Sequence, residues 1–242
     1  MTARELYQAG QLAAAISALG SELRDNPTDT RRRIFLFELL CFAGEYDRAE
    51  KHLDVLAQAG TDAATGALLY RAALAADRTR GRLFEKHEYP SGAAAPVRGI
   101  LNGKPFESLE DADPRIGARL EVYVAGDYIW LPMAHLASIQ IDPPKRLRDL
   151  LWIPALVRTG PQLKDSELGE VLLPALSPFT WRSPDDAVRL GRATAWEADE
   201  DGNEVPFGQK LLLVDGEEFP LLELRTLEIA GDPAGETHAT AE

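Results

Sequence analysis

The chain has 242 residues, 45% of them apolar, and a formal charge of −13 from 39 acidic and 26 basic side chains. The acidity is uneven: residues 1–90 carry 12 basic against 13 acidic side chains, the remainder 14 against 26. Binding to duplexes or anionic membranes needs a basic footprint, so this balance argues against nucleic acid and membrane surfaces as partners. No apolar run approaches the ~18 residues of a membrane span, and the opening MTARELYQAG has no apolar signal-peptide core. A single cysteine, Cys41, rules out an internal disulfide and suits a reducing compartment, so the expected location is the cytoplasm.

Self-comparison at an offset of 34 aligns Gly10-x-Leu12-x-x-Ala15-x-x-x-Leu19 with Gly44-x-Tyr46-x-x-Ala49-x-x-x-Leu53. That spacing is the tetratricopeptide pattern: glycine at the inter-helix turn, a larger residue packing over it, alanine where two helices approach closely. Helices are predicted over Thr2–Ala9, Leu12–Arg24, Arg31–Ala43 and Arg48–Ala59, with Asn26-Pro27-Thr28 as a stop. Arg31–Ala43 is apolar on most sides and so should lie between neighbours. A degenerate third unit, Ala64–Phe84, reads as a long capping helix with Arg78, Arg80 and Arg82 outermost. The array is assigned to residues 1–85. Registering its first helices on Gly10 and Gly44 places Arg4, Tyr7 and Gln8 on the concave face. The second unit adds Arg31, Ile34, Glu38 and Phe42, giving a mixed surface suited to an amphipathic helix with charges of both signs.

Residues 86–96, KHEYPSGAAAP, have linker composition. Beyond them the apolar period falls to two. Asn102-Gly103 marks a hairpin, and Val122, Val124 and Ile129, Leu131 flank a second turn at Ala125-Gly126-Asp127. Pro132 ends that strand, Ala137–Ile141 is the next, Lys145–Leu150 a helical turn, and Leu151–Ile153 an apolar run closed by Pro154. Asp113-Pro114 and Ser183-Pro184 read as caps opening short helices that stop at Gly117 and Gly191. Further strands are predicted at Gly169–Leu173, Arg192–Ala198, Gln209–Val214 and Glu218–Leu224. Residues 97–229 are therefore a β-rich domain, a small barrel or curled antiparallel sheet with short helices, and 230–242 a flexible acidic tail. The fold class is α+β in two domains.

Candidate chemistry is sparse. Glu110, Asp111 and Asp113 with Arg115 could form a general-acid or metal cluster, but capping and a salt bridge at a short helix are the favoured reading. Arg148 and Asp149 read as an ion pair fixing a turn against Trp152, and Asp185 and Asp186 as partners of a helix dipole. His52, His87, His135 and His238 share no metal-binding spacing, and Cys41 sits on an apolar helix face. Trp130, Trp152, Trp181 and Trp196 suit core packing or a peptide groove. No catalytic residue, metal or cofactor is assigned.

The motif Tyr128-x-Trp130-x-Pro132, then Pro144-x-x-Leu147-Arg148-Asp149-Leu150-x-Trp152-x-Pro154-Ala155, resembles the ImpE/TagJ family of type VI secretion accessory proteins. Asp111-x-Asp113-x-Arg115-x-Gly117 after Gly103-x-x-Phe106 also fits, as does Asp185-Asp186 with Leu190-Gly191-Arg192-x-Thr194-x-Trp196. The family-motif residues Asp111, Asp113, Arg115, Trp130, Pro132, Arg148, Asp149, Trp152, Pro154, Asp186, Gly191 and Arg192 are read as structural. The resemblance implies a non-enzymatic cytoplasmic accessory whose partner is the small subunit of the contractile sheath, held by its N-terminal helix. The alternatives are an enzyme in the β-rich part using Asp111, Asp113 and Arg148, or a scaffold with one partner per domain.

Overall fold

The computed structural model describes residues 1–90, 97–163 and 167–230, so most of the linker's Pro/Ala segment and nearly all of the tail lie outside the described residues. Five helices come first: α1 (Ala3–Gln8), α2 (Leu12–Asp25), α3 (Thr30–Phe42), α4 (Tyr46–Leu56) and α5 (Thr61–Glu85). Thr2 and Glu5 form a capping box at α1, and Asp29 caps α3 through the Arg32 amide at 3.0 Å. Gly10 and Gly44 take left-handed φ values of 76° and 70°. There the Gln11 and Glu45 amides reach back to Leu6 and Leu40 carbonyls, which closes α1 and α3 sharply. Ala15 and Ala49 are fully buried where the helices touch, and α3 is buried from Leu36 to Phe42, as a sandwiched helix should be.

The remaining elements are β1 (Gly99–Leu101), β2 (Lys104–Phe106), β3 (Leu109–Asp111), β4 (Arg119–Val124), β5 (Asp127–Pro132), β6 (Leu136–Ile141), β7 (Trp152–Thr159) and β8 (Glu167–Pro174). After these come a one-turn α6 (Asp186–Arg189), then β9 (Thr194–Ala198), β10 (Glu204–Gly208), β11 (Leu211–Val214), β12 (Glu217–Pro220) and β13 (Thr226–Ile229). The main sheet is antiparallel and open, in the order β2-β1-β13-β6-β7-β8-β4-β5, so no barrel closes. β12-β11-β3 and β10-β9 form two smaller sheets. Pro154 does not end its strand: β7 runs on to Thr159. Pro154 stands one residue beyond the last β6 pair, Ile141 with Ala155, so the missing amide removes nothing from that ladder. Asp113-Pro114 makes a single turn rather than a helix, with the Asp113 carbonyl accepting from Ile116 and Gly117. At α6 the cap is Asp185, not Ser183.

β4 shows how the two halves meet. Its alternation sends Leu120 and Val122 into a core enclosed by the sheets, and Tyr123 into a second core shared with the helices. That second core joins Leu39, Phe42, Leu74 and Phe84 of the array to Tyr128, Trp152 and Leu190 of the β-rich part. Both faces of β4 are therefore covered, and Leu120–Tyr123 are buried without a break.

The buried polar centre of this junction departs from the expected layout of α5. Arg80 is 5% exposed, not outermost. It lies on one helix stripe with Ala73, Ala76 and Phe84 and grips Glu121 of β4 with two bonds of 2.7 and 2.6 Å. Its third nitrogen donates to the Leu176 carbonyl at 3.1 Å. Lys210 Nζ stands 2.5 Å from Glu121 and 2.6 Å from Asp111, and the Tyr128 hydroxyl donates to Glu121. Burial alone would raise the pKa of Glu121; the charges of Arg80 and Lys210 outweigh it and bring it to about 2. Arg78 joins α5 to α4 through Asp47 and Glu50, and Arg82 is exposed.

Gly44→Val forces a β-branched residue to a left-handed φ and into the Trp181 ring, whose atoms lie 2.6 Å from the site of an added Cβ. A loss of about 1–3 kcal/mol is expected in urea titrations of the full chain; an unchanged midpoint would remove Trp181 from that turn. Arg80→Ala leaves Glu121 buried with Lys210 as its remaining cation, and should cost about 3 kcal/mol in the same assay. A loss below about 1 kcal/mol would show that the junction does not depend on this pair.

Candidate functional site

Six of the seven residues assigned to the concave face come together. Arg4, Tyr7 and Gln8 of α1 and Arg31, Ile34 and Glu38 of α3, joined by Phe35, form one wall of a groove enclosing about 690 Å³. The opposite wall is not helical-repeat sequence: it is Pro144–Arg148 and Leu150 from the β-rich part. Phe42 is the exception, at 1% exposure. It shares the Ile34–Glu38 stripe but lies one turn further on, in the buried core that α3 shares with Leu151, Trp152 and Leu190. It borders a separate, smaller cavity with Cys41, Tyr46 and Asp77.

Aromatic contacts hold the helical wall. Tyr7 meets Phe35 edge-on at 5.6 Å and 88°, with the Arg4 guanidinium 5.8 Å from the Phe35 ring and Arg192 4.8 Å from Tyr7. The opposite wall is a 3-10 turn over Leu147–Leu150, stopped upstream by Pro143-Pro144. Asp149 fixes it by accepting from the Lys145 and Arg146 amides at 2.8 and 2.9 Å. Arg148 lies 4.8 Å over Tyr70 of α5, so it and Asp149 have separate partners and do not form the expected ion pair.

Most of the motif residues attach the second half of the chain to the helices. Trp152 donates to Asp77 of α5 at 2.9 Å and stacks near Tyr70. Trp130 packs edge-on against Tyr128 and faces Phe84. Arg115 forms a two-bond pair with Asp113, at 2.8 and 2.6 Å, and lies 5.0 Å over Phe84. Asp186 accepts the Leu12 amide at 2.8 Å, capping α2 from outside because its own N-cap, Gln11, offers no side-chain bond. Arg192 donates to the Tyr7 and Gln8 carbonyls at 2.7 and 3.0 Å, so these two residues clamp the Gly10 turn. Gly191, at φ 65°, leaves room for Leu176, and Pro132 and Pro154 pair with Arg119 and Leu172.

The two carboxylates and Arg148 have separate partners. Asp113 is held by Arg115 and Asp111 by Lys210, both carboxylates buried, while Arg148 stands over Tyr70, so the three residues do not converge. Burial pushes Asp111 up to about 7 against the pull of Lys210. Among the described residues, no cluster of three His, Cys, Asp or Glu could hold a metal, and no helix is long and apolar enough to cross a membrane. Sequence reasoning missed Glu121, Lys210 and Asp77. Only the shared stripe of Asp77, Arg80 and Phe84 with Ala73 and Ala76 hinted that this face of α5 is covered.

The ImpE protein family pattern matches residues 103–228 and a tetratricopeptide pattern residues 6–76. The type VI secretion system accessory component TagJ of Pseudomonas aeruginosa is 34% identical over 94% of this chain and 91% of its own length. The chain belongs to the ImpE/TagJ family. The crystal structure of protein VPA1032 from Vibrio parahaemolyticus superposes with a TM-score of 0.83 over 97% of this chain and 99% of that one, at 22% identity, and so shares the fold.

Glu38 on the groove wall is 7% exposed, and burial, reinforced by the Asp149 charge and opposed by Arg146, raises its pKa to about 7. The folded state thus favours its neutral form. That contribution to stability is complete below the ordinary glutamate value and is lost as the pH rises through about 7. Glu38→Gln should therefore gain stability relative to the parent chain between about pH 5 and about pH 8. Parallel urea midpoints over that range would show that Glu38 ionises in place without cost.

Proposed function

We propose that this chain is a non-enzymatic accessory of a type VI secretion system that acts in the cytoplasm and takes the N-terminal helix of the small sheath subunit into the groove. The observation that carries the reading is the composite groove. From Arg4 to Glu38 the repeat face borders the groove, while its far end at Phe42 is buried. The family-motif segment Pro144–Leu150 stands across the groove as a second wall. Repeat arrays present such concave faces to helical peptides, and the Pseudomonas aeruginosa relative is named for the accessory role. Tyr7, Ile34 and Phe35 supply apolar anchors, which is where docked helices concentrate their affinity.

Ile34→Glu places a charge at the centre of these anchors. It should weaken binding of a labelled peptide of the sheath subunit's N-terminal helix more than about ten-fold, with the circular dichroism of the parent chain retained. Phe42→Glu is the matching control for a buried position: it should unfold the array rather than act on binding. Unchanged affinity in a folded Ile34→Glu variant would remove the docking site from this groove.

A further inference from the structure

The groove's charge runs against that of the chain. The protein carries −13 overall, yet Arg4, Arg31, Lys145, Arg146 and Arg148 line the groove against one carboxylate, Glu38. Outside the groove, Arg32, Arg71, Arg78, Arg80 and Arg115 are among the arginines with a carboxylate within 4.0 Å, whereas Arg24, Arg33, Arg192 and Arg225 bond to hydroxyl, imidazole or carbonyl groups. Among the described residues, none of Arg4, Arg31, Arg146 and Arg148 has such a carboxylate, although the chain holds 39 acidic side chains to supply it. Lys145 alone of the groove cations is paired, with Asp142 at 2.5 Å.

The layout of these cations also describes an occupant. Arg4 and Arg31 stand on the helical wall and Arg146 and Arg148 on the facing one, with Tyr7, Ile34, Phe35, Leu147 and Leu150 as the apolar surface. A ligand meeting this must show an apolar stripe with negative charge along both of its margins. A strand sends alternate side chains to opposite faces and cannot do so from one face, whereas an amphipathic helix carries polar margins on each side of its stripe. A nucleic-acid backbone would match the cations but leave the apolar anchors unfilled, and the chain's overall field repels it.

We infer that the groove selects an acidic amphipathic helix, with carboxylates on both margins of its apolar stripe, through Arg4 and Arg31 on one wall and Arg146 and Arg148 on the other. This departs from the expectation of a surface with charges of both signs, because the repeat sequence alone leaves out the facing wall. The inference rests on the groove being the docking site.

The test uses the full chain and three fluorescein-labelled synthetic helices with one common leucine stripe, whose margins carry Glu, Gln or Lys. The sheath-helix peptide and a single-stranded oligonucleotide are separate arms. The Glu peptide should bind at least about ten-fold tighter than the Lys peptide, and the margin should shrink as salt is raised from about 50 to about 300 mM. Arg31→Glu combined with Arg146→Glu should invert the preference toward the Lys peptide, a gain that misfolding cannot produce. Equal binding of all three peptides, a preference unchanged in the double variant, or displacement of the Glu peptide by the oligonucleotide at lower concentration would overturn the inference. If the sheath helix binds and Ile34→Glu abolishes it while the peptides show no charge preference, the docking site stands and the inference fails. If the preference inverts but the sheath helix does not bind, the inference stands and the sheath partner fails.

Discussion

The ion pair between Arg80 and Glu121 is the constraint on which the rest depends. An arginine and a glutamate removed from water are costly unless each finds its full set of partners. Here the two-bond grip, Lys210, the Tyr128 hydroxyl and the Leu176 carbonyl supply them. Apolar replacement of such a pair, shape for shape, is often neutral or stabilising. What it supplies is position, since α5 and β4 cannot slide past one another without stranding a buried charge. Asp77 with Trp152, and the Asp186–Arg192 clamp on the Gly10 turn, hold the same interface at two other points.

The consequence for function is geometric. Two elements from opposite halves of the chain face each other across the groove, and their spacing is set by that interface rather than by either half alone. Arg148 illustrates the coupling: it borders the groove while lying over Tyr70, a residue of the same α5 that carries Arg80. Trp152 follows two residues after the 3-10 turn and stacks near the same tyrosine. Arg148 and Trp152 thus attach the Pro144–Leu150 wall to α5, and Asp149 fixes its turn.

Local signals made much of this readable from sequence. The 34-residue offset identified the helix pairs, because glycine at a left-handed turn and alanine at a close helix contact are requirements met by few residues. Asn102-Gly103 and Ala125-Gly126 marked hairpins for a similar reason, since both take positive φ values in their turns. The repeat register also found six groove residues, as spacing along one helix determines which side chains share a face. It failed at Phe42, which is buried in a core that joins the helices to Leu151, Trp152 and Leu190, residues more than a hundred positions away.

Short-range sterics and periodicity made the helices of the array, most of the strands and the concave stripe of the repeats readable, but not β3, β10 and β13, nor that Asp113-Pro114 is a single turn and that β7 runs through Pro154. Tertiary structure alone decided that Arg80 and Glu121 are interior and that the groove has a second wall. It also decided that the groove is basic within an acidic chain. A polar residue opposite an apolar stripe reads as solvent-facing until another element covers it. Nothing in the local pattern of β4 or α5 specifies that each covers the other, for that is a property of the pair.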